Sequence, residues 1–463
     1  MTSHRRIPKT LIAPVAGLAL LQGCATDEQE MVDVSNIAAA PGADRVGQEK
    51  LIYLTAINSG DNVNPDMFFT IGADPAKPAT YGKIVGRVDM PDGPQDNLHH
   101  MGYSLDRKRI LLSGMFSNNI FVVDVGSDPK QPQLTRSYKT IGADSGYIAP
   151  HTISPMPNGE VLVSMMGAVG TESGGPAGVV FLDDKTGKFK RYFGPGPDRS
   201  HGEIGADYQY DLTWNTRAKR LLTTTWGYPK NVFGPPWLDG DSVTMWDTDS
   251  QTVVEKTVIP ADPASGYSTS GATEADWLHH KSVEQGYMIT DDGRVIRFID
   301  SGVGRPGSHW NYETVVAGLG APCDMTVSQD DHWLYLGNWF GGADFSGEVQ
   351  QYDITDPAHP VLAATFAIPH VCMLQLSPDG KRLYATNSVT RAHDDYDWGR
   401  VSNDKYGLWK FDVNTVSGGL TNANADGSAW VNFENVQKKR GRGPAGVHMI
   451  LYDPSTSVLV GAH

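Results

Sequence analysis

Six times in this chain, a side chain able to ligate a metal or hydrogen-bond stands eleven residues before the first leucine of a short apolar run. The pairs are His100 and Leu111, His151 and Leu162, Tyr210 and Leu221, Cys323 and Leu334, Cys372 and Leu383, and His448 and Leu459. His279 takes the same place at a shortened offset of nine, ending at Met288. A turn followed by an apolar β run, repeated at intervals of about 40–50 residues, is the mark of a propeller blade. The signature occurs at Lys108–Leu112, Gly159–Val163, Lys219–Leu222, Gly286–Ile289, His332–Leu336, Lys381–Tyr384 and Val458–Val460, which makes seven copies. A further strand, Leu51–Leu54, has no partner before it. The expectation is an all-β, seven-bladed β-propeller over residues 48–463, with N- and C-terminal strands sharing one blade and leaving no free sheet edge. The offset puts the marked residue of each blade on its first strand, which lines the axis.

The bulk composition agrees. The 51 glycines and 29 prolines are spread along 463 residues, as many short strands with tight turns require. A formal net charge of −15 argues against a nucleic-acid partner, which needs clustered Lys and Arg. The one basic run, Lys438-Lys439-Arg440-Gly441-Arg442, reads as an exposed loop.

The N-terminus reads as an export signal. His4, Arg5, Arg6 and Lys9 form a positive segment, and Leu11–Leu21 an apolar one too short to span a bilayer. Leu21-Gln22-Gly23-Cys24 is similar to a bacterial lipobox, which makes residues 1–24 a signal peptide and Cys24 a possible lipid anchor. Plain cleavage near Ala25 is the alternative, and Arg5-Arg6 with Lys9 weakly echoes a twin-arginine signal. Residues 25–47 read as a flexible tether. The expected location is periplasmic, with membrane contact only through the lipid.

The ring holds the chemistry. Imidazoles suit copper, zinc, iron and nickel, and thiolates suit Cu(I). Each histidine taken singly also fits a bland reading: His99-His100 a turn or a core pair, and His279-His280 packing beside Trp277-Leu278. It is the shared register of His100, His151 and His448 that favours a site. Asp211, Glu274 and Asp324 are ring neighbours able to take a proton or hold an imidazole. Cys323 and Cys372 admit three readings: small buried hydrophobes, a disulfide, or soft metal contacts. Adjacent ring positions threaten to exceed the ~7 Å Cα separation that a disulfide tolerates. His201, His309, His332, His359, His370, His393 and His463 lack the register and read as surface or loop residues.

Asp96-Asn97-Leu98-His99-His100 followed by Gly102 resembles the Asp-Glu-Leu-His-His signature of the selenium-binding protein and methanethiol oxidase family. Ile120–Ser127, Asn338-Trp339, Gln350–Pro357, Leu376–Tyr384 and Asp412–Leu420 continue the resemblance in collinear order. It implies a seven-bladed propeller and a copper centre, with His99, His100, His151 and His448 as ligands. His279 remains a further candidate from spacing. The implied reaction takes a small thiol, methanethiol, with dioxygen and water to formaldehyde, hydrogen sulfide and hydrogen peroxide. The alternative is a non-catalytic copper-binding or selenium-binding-like propeller scaffold. The chain departs from the family where animal members carry a selenium-linked cysteine and this chain has Gly82. Met449 replaces the glutamate that usually follows the last histidine, a change able to alter the ligand surroundings or add a thioether.

Overall fold

The computed structural model describes residues 48–454 apart from 92–95, 157–159, 170–176, 195, 197–208, 228–239, 303–309, 341–346 and 391–405. The export signal, the tether and Val458–Val460 lie outside the described residues. Seven antiparallel sheets form a ring, a seven-bladed β-propeller. The inner strands of blades 1 to 6 are Leu98–Tyr103, Tyr147–Pro155, Leu212–Asn215, Ala272–Trp277, Pro322–Val327 and Leu374–Leu376. Blade 7 joins the inner strand Ala445–Tyr452 to Leu51–Asn58, Met67–Gly72 and Ile84–Asp89 from the N-terminus. Among the described residues no helix is long and apolar enough to cross a membrane.

Closure of blade 7 corrects one detail of the repeat. Ala445–Tyr452 pairs with Leu51–Asn58, so the N-terminal strand is its second strand. The offset between His448 and Leu459 therefore does not measure a blade. His448 still reaches the axis, because its own strand is innermost.

The apolar doublets explain why both faces of each sheet are buried. Successive strand residues point to opposite faces. Leu111 thus enters the core between blades 1 and 2, and Leu112 the core between blades 7 and 1. Leu221 and Leu222, and Leu383 and Tyr384, divide between successive seams in the same way. The outermost strands meet solvent on one side, as the exposed Gln133, Thr135 and Arg136 of blade 1 show.

Two polar latches secure the closing blade. Glu49, fully buried, receives Arg382 of blade 6 in two hydrogen bonds of 2.6 and 2.7 Å, and the Tyr384 hydroxyl as well. Lys438 is also buried, which corrects the reading of its whole run as an exposed loop. Its ammonium lies 2.6 Å from Asn58 Oδ1, 2.6 Å from the Ser59 carbonyl and 3.1 Å from Asp61 Oδ2. Burial is tolerated because three oxygens replace its water.

A left-handed residue stands two positions before several ring residues: Asn97 (φ 48°), Ala149 (55°), Ala321 (48°) and His370 (45°). Such angles are uncommon outside glycine, and for alanine they cost about 1 kcal/mol or more. Each kinks the backbone just ahead of the ring residue. His370, read as a surface or loop histidine, is buried in this role, with Nδ1 3.2 Å from the Trp339 carbonyl oxygen.

Candidate metal centre

The ring positions of five blades sit on an irregularity in the ladder. The pairing shifts register across His99-His100 in blade 1, His151-Thr152 in blade 2, Thr273-Glu274 in blade 4 and Cys323 in blade 5. It shifts again at His448-Met449 in blade 7. A bulge re-aims side chains and frees backbone groups. Hydroxyls on the second strands take up those groups. Ser113 accepts the His100 N–H at 3.0 Å, Ser164 the Thr152 N–H at 2.9 Å and Thr224 the Asp211 N–H at 3.1 Å. Several of them also donate to the next blade: Ser164 to the Tyr210 carbonyl, Thr224 to that of Thr273 and Thr386 to that of His448. This hydroxyl, two or three residues after the marker leucine, was a sequence signal that the apolar pattern hid.

The bulges bring His99, His100, His151 and His448 together, all buried. His99 stacks on His448 with ring centroids 4.0 Å apart, and His100 lies 4.1 Å from His151. Among the described residues, two groups have ligand atoms within 4.8 Å of one another: His99, His100 and His448, and His100, His151 and Glu274. His100 belongs to both. Glu274 Oε1 is 4.0 Å from His100 Nε2.

Hydrogen bonds select the nitrogen that faces the cluster. His448 Nδ1 lies 2.6 Å from the Ser388 carbonyl, which only accepts, so Nδ1 carries the proton and Nε2 the lone pair. His151 Nδ1 lies 3.1 Å from Thr152 Oγ1, whose own proton goes to Asp211 Oδ1 at 2.7 Å. Thr152 must then accept from Nδ1, again leaving Nε2 bare. Burial keeps both rings neutral. It holds His448 down to about 4, and lowers His151 well below the ordinary histidine range with help from nearby His448. Neutral, oriented, buried imidazoles with unpartnered Nε2 atoms on His151 and His448 are the donor set a borderline transition metal takes.

The three acidic candidates separate. Burial, and then the charges of Asp211 and Asp324, push the Glu274 carboxyl well above the usual carboxylate range. Its surroundings favour the protonated form over the carboxylate. Asp211 accepts from Thr152 and, at 3.1 Å, from the Ala275 N–H of the next blade. Asp324 accepts from its neighbour Met325 and from the Leu374 N–H of blade 6. Both are strand clamps at the ring.

His279 does not join the cluster. The inner strand of blade 4 ends at Trp277, and the ring level is reached earlier, at Glu274. His279 follows the strand, half-buried, with its N–H on Asp331 Oδ1 at 2.7 Å. The shortened offset was the warning sign. Cys323 and Cys372 are joined as a disulfide with Cα atoms 5.0 Å apart, so the feared separation does not arise. A bulge at Cys323 and left-handed residues at Ala321 and His370 flank the bond. The Met449 sulfur accepts the Met101 N–H at 2.9 Å, tying blade 7 to blade 1 beside the cluster.

Residues 37–372 match the family model of the 56 kDa selenium-binding protein, SBP56. The chain is 28% identical over 462 residues to selenium-binding protein 2 of Arabidopsis thaliana, covering 83% of this chain and 88% of the relative. It is 28% identical over 446 residues to a methanethiol oxidase of Homo sapiens, covering 81% and 88%. A solved structure of a hypothetical selenium-binding protein from Sulfolobus tokodaii superposes with a TM-score of 0.72 at 23% identity, over 89% of this chain and 95% of the other, which supports the fold.

Proposed function

Because the chain belongs to the 56 kDa selenium-binding protein family, we propose that it is a copper-dependent thiol oxidase acting on methanethiol or a thiol of similar size. The observation that carries this reading is the group of four buried imidazoles with Glu274 beside it. His99, His100, His151 and His448 would hold the copper. Bound there, the metal would supply one-electron exchange with dioxygen and a Lewis-acidic partner for a thiolate.

The remaining work falls to the chain. Thr152 and Asp211 orient His151, and the Ser388 carbonyl orients His448. Glu274, whose carboxyl is raised well above the usual range by burial and the charges of Asp211 and Asp324, stands beside His100 as the residue that would hold and supply a proton. Leu98, Met101, Met373 and Met449, next in sequence to the ring positions, pack into one buried apolar cluster, which favours a small uncharged thiol over a charged one. The products would be formaldehyde, hydrogen sulfide and hydrogen peroxide, which balance methanethiol, dioxygen and water. The positive and apolar N-terminal segments, Cys24 and the Cys323–Cys372 disulfide support export to an oxidising compartment, with a lipid anchor at Cys24.

The test is elemental analysis of wild-type and His100→Ala protein after copper-replete expression, followed by thiol-dependent oxygen uptake. The reading expects about one copper per wild-type chain, lost in the variant, and methanethiol-driven oxygen consumption. Copper without oxygen uptake would leave a copper-holding protein. Equal copper in both proteins would remove the site.

A further inference from the structure

The histidine centre is joined to an aromatic stack that its ligand role does not use. The His151 ring lies 3.9 Å, centroid to centroid, from Tyr210, and Tyr210 lies 5.3 Å from Trp226. The Trp226 indole N–H donates to a carboxylate oxygen of Asp291. The four residues come from three successive blades: His151 from blade 2, Tyr210 and Trp226 flanking the first two strands of blade 3, and Asp291 following the second strand of blade 4. Met115, Ala149 and Met166 pack with Tyr210 and Trp226 in one buried cluster. The stack is therefore continuous from a ligand imidazole to a carboxylate.

Tyrosine and tryptophan lose single electrons more readily than most side chains, and the N–H of an oxidised indole becomes far more acidic than that of the neutral ring. An indole oxidised inside a protein needs a base at its nitrogen. Packing alone would be satisfied by any neutral acceptor there, and this chain places a carboxylate.

We propose that Tyr210, Trp226 and Asp291 form an electron and proton relay that draws oxidising equivalents away from the histidine centre and spares its ligands from hydrogen peroxide. The inference rests on the thiol oxidase reading, which makes peroxide at that centre. One electron passes from Trp226 through Tyr210 to the centre, and the Nε1 proton passes to Asp291, leaving a neutral indolyl radical. Two such transfers in succession, with two protons from solvent, turn one hydrogen peroxide into two waters. Two small thiols restore two indolyl radicals, forming one disulfide. Trp226 and Asp291 do not touch the four ligand histidines in this scheme, so they are protective and not catalytic residues.

The test uses copper-loaded full-length protein, with copper measured on the same sample. It is mixed with hydrogen peroxide and freeze-quenched for electron paramagnetic resonance. The expected result is an organic radical whose hyperfine pattern changes when the protein is grown with ring-deuterated tryptophan. Trp226→Phe should abolish that signal and raise oxidation of His151, read by peptide mass spectrometry, several-fold at unchanged copper content. Asp291→Asn should keep the ring in place and weaken the radical. If Trp226→Phe fails to fold, the deuterium-sensitive signal and Asp291→Asn decide. Copper-loaded protein with no tryptophan radical, or with equal His151 oxidation in wild type and variant, would overturn the relay alone. Wild-type protein without copper would overturn the relay and the thiol oxidase reading together.

Discussion

Thr152 donates its hydroxyl proton to Asp211 across 2.7 Å, and this one bond fixes which nitrogen of His151 can face a metal. Asp211 lies on blade 3 and the histidine on blade 2, so the orientation of a ligand is set by the seam between blades. Removing the hydroxyl should leave fold and ring in place and loosen the imidazole. Thr152→Val is expected to weaken copper binding about 10- to 100-fold, with recovery in Thr152→Ser. Competition against a chelator of known affinity measures it.

The buried ionisable groups give metal-free protein two opposed pH dependences. His448 and His151 resist protonation when folded, so the stability they allow is present above about pH 6.5. It is lost as pH falls towards 4, because the unfolded chain takes up protons that the folded chain refuses. Glu274 has the opposite sign: its folded form keeps a proton, so stability is present below about pH 4.5 and lost as pH rises. Urea titrations of apoprotein from pH 4 to 8 should show a flatter acid limb in His448→Gln. Glu274→Gln should gain stability relative to wild type as pH rises.

Blade 7 depends on an ion pair far from the site in sequence. Glu49→Ala leaves Arg382 buried with only Asp379, at 2.8 Å, to balance it. Losing one partner of a buried pair costs about 3–5 kcal/mol. The shared load on Asp379 puts the expected loss near ~3 kcal/mol. Chemical denaturation reads it, and Arg382→Lys should not rescue a two-pronged contact.

The Cys323–Cys372 bond closes a loop of sequence separation 49 and staples blade 5 to blade 6. The chain-entropy estimate for such a loop is about 4 kcal/mol. A Cys323→Ser, Cys372→Ser double variant should unfold at lower denaturant and retain its copper, since neither sulfur is among the proposed ligands. Loss of copper in that variant would restore the soft-contact reading.

The family motif and the eleven-residue offset determined by themselves that this chain is a seven-bladed propeller with histidines at its axis. Local pattern suffices there, because the doublets Leu111-Leu112 and Leu221-Leu222 must each fill two seams. Four decisions belonged to the tertiary structure alone. Which strand paired with Ala445–Tyr452 depended on closure between residues some 400 apart in sequence. Glu274, not His279, reached the ring level of blade 4, because a bulge of one residue changes where every later side chain points. The disulfide depended on how closely the inner edges of blades 5 and 6 approach, which no side-chain pattern announces. Asp211 and Asp324 clamp neighbouring blades through backbone N–H groups, and burial with the charges of those two raises the Glu274 carboxyl. Those quantities exist only once seven sheets have closed around one axis.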